Sequence, residues 1–266
     1  MSKSSLYTRR IAISAIFLSI ALVLRLLFSW YLPLFGQNGI RVGLAPIFFM
    51  MPAILFGPVY GAIVAALADL LGFLLRPSGA FLPLLTLAVA IGGFIRGALW
   101  LLLRGKSSKV MRIAIAVLAV FLLLFGLFNL FSLQTGGIGS GFYDYLDERQ
   151  LVSVTAGLIG TAVFGFVLLL ADFILSRRFA KEGKEKESRI MPLLITVLVS
   201  AIISSTLITI VLRETIFREA WQLLPFVVLW LPRVIETIVS NTVYVYFMAL
   251  LLGIFERQQG LRELIR

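Results

Sequence analysis

From Arg112 to Ser132 the chain reads RIAIAVLAVFLLLFGLFNLFS, and no charged residue follows the opening arginine. A bilayer suits such a run, because its hydrocarbon core is about 30 Å thick and takes about 20 apolar residues of helix. Runs of this kind recur along the chain. They fall at roughly 10–33, 41–57, 59–76, 81–103, 110–132, 151–176, 190–212 and 222–255, the last with a bend expected near Pro232. Backbone polar groups in lipid must be satisfied within each segment, so helices are expected. The two-residue alternation of a barrel wall is absent. The sequence predicts an all-α integral membrane protein, a polytopic helical bundle.

Composition agrees. Of the 266 residues 60% are hydrophobic and 14% charged, with a mean hydropathy of +1.03. Soluble domains average about 45–50% apolar and about 25% charged residues. There is no cysteine, hence no disulfide framework or thiolate metal site. There is no histidine either, which removes the commonest general base and metal ligand. Covalent catalysis is disfavoured, and no cofactor or metal is expected.

The net charge of +11 would suggest nucleic acid in a soluble protein. Here the basic residues sort by loop. With the N-terminus inside, about two thirds of the 24 lysines and arginines fall on one side, around Lys3–Arg10, Arg104–Arg112, Arg177–Arg189 and Arg257–Arg266. Arg41, Arg76, Arg149, Arg213 and Arg218 fall on the other. That bias predicts both termini in the cytoplasm and an even number of spans. The charge therefore reads as topology, with no nucleic-acid partner. RGKSS (104–108) has the ending of a phosphate-binding loop, but Trp100 stands where its first glycine is needed and an apolar helix precedes it.

Residues 1–35 begin like a signal peptide, with Lys3, Arg9 and Arg10. The apolar run continues through Arg25 to Trp30-Tyr31 with no small-x-small cleavage site, so it reads as the first span. RIAISAIFLSI (10–20) is similar to RIAIAVLAVFL (112–122), a likeness that any span with a basic start would give. RRFAKEGKEKESR (177–189) reads as a cytosolic loop. QTGGIGSGFYDYLDERQ (134–150) reads as an outer connector, with a lid as the alternative.

Small residues mark the early spans. Ala12, Ala15 and Ser19 share a face on the first, Gly57, Gly61 and Ala65, then Ala68 and Gly72, on the third, and Gly93 and Gly97 on the fourth. Such stripes let helices approach closely, within the bundle or against a partner. The first stripe is the better candidate for docking another membrane protein.

Charges inside spans are costly and point to pairing or function. Arg25 lies roughly 20 Å along its helix and has no sequence-local partner. Arg233 and Glu236 are three residues apart and can share a face. Arg41 and Arg76 stand at outer helix ends. Guanidinium groups suit carboxylates and phosphates, so these arginines are candidate ligand contacts. The alternatives are solvation for Arg41 and Arg76, pairing with Glu236 for Arg233, and inward snorkelling towards Arg104 for Arg96. Asp69 is expected to be a structural carboxylate paired with Arg96 or Arg25, with an ion or proton site as the alternative. Pro77 and Gly79 end the helix and turn the chain, which leaves Arg76 at the rim. Phe28, Trp30, Tyr31, Phe81, Trp221 and Trp230 form an interface belt, and Phe81 and Trp230 are candidates to stack on a ligand ring.

The stretch from Arg41 to Gly97 resembles the substrate-binding S components of energy-coupling factor (ECF) vitamin transporters, most closely the folate-type group. The likeness rests on Arg41 and Pro46, on Gly57-Pro58 with Gly61, on Ala68-Asp69-Leu70-Leu71-Gly72, and on Pro77 and Gly79 before Phe81. Leu231-Pro232-Arg233 matches loosely. The resemblance implies a subunit in the bacterial plasma membrane that captures a small anionic vitamin. It implies delivery through a transmembrane coupling subunit carrying two cytoplasmic ATPases. It also implies docking through an Ala-x-x-x-Ala motif, whose nearest match is Ala15-x-x-x-Ser19, with Ala12 a turn earlier. Arg25, Arg41, Arg76, Phe81, Trp230 and Arg233 would contact substrate, while Asp69, Arg96 and Glu236 would be structural. The family usually has six spans. The expected layout is therefore one transmembrane domain, with 1–104 carrying the first four spans, 105–189 two inserted spans, and 190–266 the closing spans and tail. An autonomous ion-coupled transporter using Asp69 and Glu236, and a non-transporting membrane scaffold, are the alternatives.

Overall fold

A computed structural model of the chain describes residues 3–34, 37–77, 80–106, 108–135, 148–181, 190–216, 218 and 226–258. Ser78, Gly79, Trp221, most of the 134–150 loop, the end of the 177–189 loop, Arg262 and Arg266 lie outside the described residues. The described elements are α1 (Lys3–Leu27), β1 (Ser29–Leu34), β2 (Gln37–Gly43), α2 (Ala45–Phe56), α3 (Pro58–Leu75), α4 (Pro83–Leu103), α5 (Ser108–Thr135), α6 (Glu148–Lys181), α7 (Ile190–Glu214) and α8 (Phe226–Arg257).

The helical bundle is as expected, with two differences. Six helices are long and apolar enough to cross a membrane. Eight full spans were expected; α6 contains the whole of the expected span 151–176, whereas α2 is a shorter apolar helix. With 12 residues, α2 is about 18 Å long, well short of the hydrocarbon core. The second difference explains the first. The expected spans 10–33 and 41–57 overrun into an antiparallel hairpin that pairs Ser29 with Gly43, Trp30 with Val42, Tyr31 with Arg41 and Leu32 with Ile40. The register slips between Leu32 and Pro33, so Gly39 is left over between the Leu32–Ile40 and Pro33–Asn38 pairs, next to a proline that has no N–H to give the ladder. Apolar aromatic residues suit a strand as well as a lipid-facing helix. Ser29 closes α1 by donating its hydroxyl to the Arg25 carbonyl at 2.6 Å.

Prolines open three helices: Pro46 in α2, Pro58 in α3 and Pro83 in α4 each occupy the first turn, where no intrahelical donor is needed. Between α2 and α3 the chain turns on Gly57 alone, at φ 98°. Pro232 lies inside α8, which continues through it.

α3 and α4 form the tightest pair. A Cβ on Gly61 would strike the Gly93 carbonyl, a Cβ on Gly93 the Gly61 backbone, and a Cβ on Gly97 the Pro58 backbone. The glycines of the third and fourth spans therefore face each other, and this stripe is internal packing. The main core lies beside it, where Met51 of α2, Leu193 and Val197 of α7, and Val245 and Met248 of α8 are fully buried, with Phe17 of α1 and Trp100 of α4 at its edges. α5 and α6 pair with each other, Gly126 leaving room for Ile159, and α6 leans on α8 through Leu158 and Leu231. The outer face of α5 (Ile113, Val117, Phe121, Leu124) is exposed and apolar, as a lipid-facing surface must be.

Candidate functional site

Arg25 sits in the last turn of α1 and reaches across to α3. Its Nη1 donates to the Ala68 carbonyl at 2.6 Å, and its Nη2 lies 3.6 Å from Asp69 Oδ1. The other carboxylate oxygen, Oδ2, accepts the Thr86 hydroxyl of α4 at 2.8 Å. One turn beyond Ala68, Gly72 clears space: a Cβ there would run into the Arg25 guanidinium. The Ala-Asp-x-x-Gly segment is thus a cradle for one arginine and ties α1, α3 and α4 together. Arg25 has a partner after all, 44 positions away in the sequence and so invisible to local spacing. Of the two arginines weighed as partners for Asp69, the structure pairs Arg25. The pair keeps side-chain exposures of only 19% and 24%.

Around this cradle, Arg76 caps α3, its N–H bonded to the Gly72 carbonyl at 3.2 Å, and its side chain is exposed. Phe81 packs on Phe73 with ring centroids 5.1 Å apart and remains 39% exposed. Arg41 lies on β2 opposite Tyr31, and its side chain is outside the described residues.

A second group of contacts forms on α7 and α8. The Trp230 indole donates to Thr206 Oγ1 at 2.7 Å, and its ring stacks near Phe226. Arg233 is buried, and Glu236 accepts the Ser240 hydroxyl at 2.7 Å. α4 links the two groups, because Ser204 donates to the Ala88 carbonyl at 3.2 Å, two residues past Thr86. Tyr244 of α8 donates to the Gly43 carbonyl at 2.7 Å and pins the end of the hairpin to the bundle. Arg25 and Arg76 thus sit with the α1–α3–α4 contacts, and Arg233 with those of α7 and α8.

Arg96 belongs to neither. It is 4% exposed in the middle of α4, so it does not snorkel to the surface beside Arg104. On α1, Ser14, Phe17, Leu18 and Ala21 face the bundle, whereas Ala12, Ala15 and Ser19 are exposed on the opposite side. Sequence reasoning passed over Thr86, Thr206, Ser240 and Tyr244. Their signal was weak but present: each is a hydroxyl in an apolar helix, where a hydroxyl needs a partner.

Over 102 residues the chain is 31% identical to a folate transporter, FolT, of Clostridium novyi (strain NT). The chain is similar to a folate transporter. The resemblance to the folate-type S components is borne out by this match together with the apolar helices. The match takes in 38% of this chain and spans 57% of the relative's length. No family model and no solved structure matches the chain. The helices make it a multi-pass membrane protein.

Proposed function

We propose that the chain is the membrane-embedded substrate-binding subunit of an ECF-type importer. In this reading it captures a folate-like or other small anionic vitamin from outside and passes it on through a transmembrane coupling subunit driven by two cytoplasmic ATPases. It performs no covalent chemistry itself. Both termini face the cytoplasm, which puts the hairpin and the Arg25 cradle at the outer side. The observation that carries the reading is the Arg25–Asp69–Thr86 cradle: Asp69 and Thr86 lie within the stretch resembling the folate-type group, and holding Arg25 gives its Ala-Asp-x-x-Gly motif a physical task.

Substrate contacts are assigned to Arg25, Arg41, Arg76, Phe81, Trp230 and Arg233, with Asp69 and Glu236 as orienting carboxylates. A fixed guanidinium is a better anion receptor than a mobile one, because less side-chain freedom is lost on binding. Ala12, Ala15 and Ser19 are assigned to the coupling subunit. Their exposure on the face of α1 turned away from the bundle supports this, as does the inward bond of the Ser19 hydroxyl to the Ala15 carbonyl at 2.9 Å, which keeps the face smooth.

The test is binding of folate to the purified protein by calorimetry, alongside affinity purification from the native membrane. A saturable folate or vitamin signal that falls at least tenfold in Arg25→Ala, together with a co-purifying coupling subunit and ATPases, is the expected result. Uptake that persists without ATPase partners and collapses with the ion gradient would replace this reading with an ion-coupled carrier.

A further inference from the structure

Among the described residues, Arg96 is a buried charge without a counter-charge. It is 4% exposed, its Nε has no hydrogen-bond partner, and no ion pair joins it to a described residue. At about 1.5 Å per residue it lies about 20 Å along α4 from Pro83 and about 10 Å from Leu103, far from either end. Asp69, the nearest carboxylate on α3, is already held by Arg25 and Thr86.

Helix geometry shows what Arg96 lies beside. Gly92 is one turn away on the same face, and a Cβ there would meet Ser204 and approach the Ser200 carbonyl of α7. Ser204 also bonds the carbonyl of Ala88, one turn earlier, so the two helices run antiparallel. The next turn of α4 therefore brings Arg96 to the level of Ser200 and Thr196. Both are fully buried. The Ser200 hydroxyl is used by the Val197 carbonyl at 3.0 Å, but Thr196 Oγ1 has no partner among the described residues.

One layer of the α4–α7 seam thus holds an uncompensated guanidinium and an unused hydroxyl. A lone charge at such depth costs several kcal/mol unless something neutralises it. A guanidinium has donors only, and a hydroxyl can add one more, so the matching group is an anion. We infer that Arg96 and Thr196 form an anion subsite inside the bundle for a halide or a carboxylate. The anion has two possible sources. It is a free ion such as chloride, or the carboxylate of the transported molecule, the latter resting on the transport reading above.

The test uses the full chain in nanodiscs, melted in chloride–isethionate mixtures at constant ionic strength, with and without folate; isethionate is a sulfonate and carries no carboxylate. For a free anion, the wild-type Tm rises saturably with chloride, Arg96→Met abolishes the dependence, and Thr196→Val raises the half-saturating chloride about tenfold, the worth of one hydrogen bond to a charge. In pure isethionate Arg96→Met melts at or above the wild type, because the unpaired charge is gone. For a carboxylate on the transported molecule, chloride has no effect, and folate stabilises the wild type but not Arg96→Met. The inference is overturned if chloride has no effect and folate stabilises both proteins equally, an outcome that leaves the transport reading standing. It is also overturned if neither anion affects the wild type. Should Arg96→Met not fold, the wild-type titrations decide between chloride and no free anion, and Arg96→Gln, which keeps polar donors but removes the charge, replaces it in the folate arm with the same expected and overturning results.

Discussion

The Arg25–Asp69 contact should be energetically coupled, and a double-mutant cycle measures by how much. At 3.6 Å and an effective dielectric of about 20, the gross attraction is about 4–5 kcal/mol. Desolvation of two largely buried groups takes back part of this, and the bonds to Ala68 and Thr86 return some. The expected coupling is about 2 kcal/mol. Asp69→Asn keeps the shape and can still accept the Thr86 hydroxyl, so it removes mainly the charge. Arg25→Gln removes the charge and the reach. Each single variant should lose about 2–3 kcal/mol, because each strands its partner, and the double variant should lose hardly more than either single. Reversible unfolding in mixed micelles gives the four free energies. If the two losses add to within about 0.5 kcal/mol, the groups are independent and the cradle is not what joins α1 to α3.

Gly93→Ala should destabilise more than Gly72→Ala, since the first meets backbone and the second the movable end of Arg25, and thermal melts rank them directly. Tyr244→Phe removes the bond to Gly43 and should cost about 1 kcal/mol, with faster amide exchange in the hairpin as its local signature. Ala15→Leu adds bulk on an exposed face of α1, so it should leave the melting temperature within a degree or two while reducing recovery of the coupling subunit in pull-downs.

Features governed by neighbours in the chain were legible in the sequence. Apolar length marked the helices, and Pro46, Pro58 and Pro83 sit in first helical turns as their chemistry dictates. What depends on distant partners was not legible. Trp30-Tyr31-Leu32 reads as the end of a span until Ile40–Val42 is laid against it. The glycines of α3 and α4 were visible as two stripes, but nothing in either one names the other. Arg25 and Arg96 look alike in the sequence, each a lone arginine among aliphatics. Only the fold shows that Arg25 meets Asp69 and that Arg96 has no such neighbour among the described residues.

The shortness of α2 has a consequence for where the solvent is. Its roughly 18 Å leaves about 12 Å of a 30 Å hydrocarbon layer to be filled by the hairpin. A two-stranded ribbon has two open edges, each a row of amide and carbonyl groups with nothing to bond. Oil cannot satisfy those groups, so such edges do not occur against lipid tails. The ribbon must instead line a wet recess or lie against protein, and the Tyr244–Gly43 bond fixes its inner limit. Where the ribbon lines a recess, a hydrophilic solute entering beside the hairpin has that much less far to travel to reach the middle of the membrane.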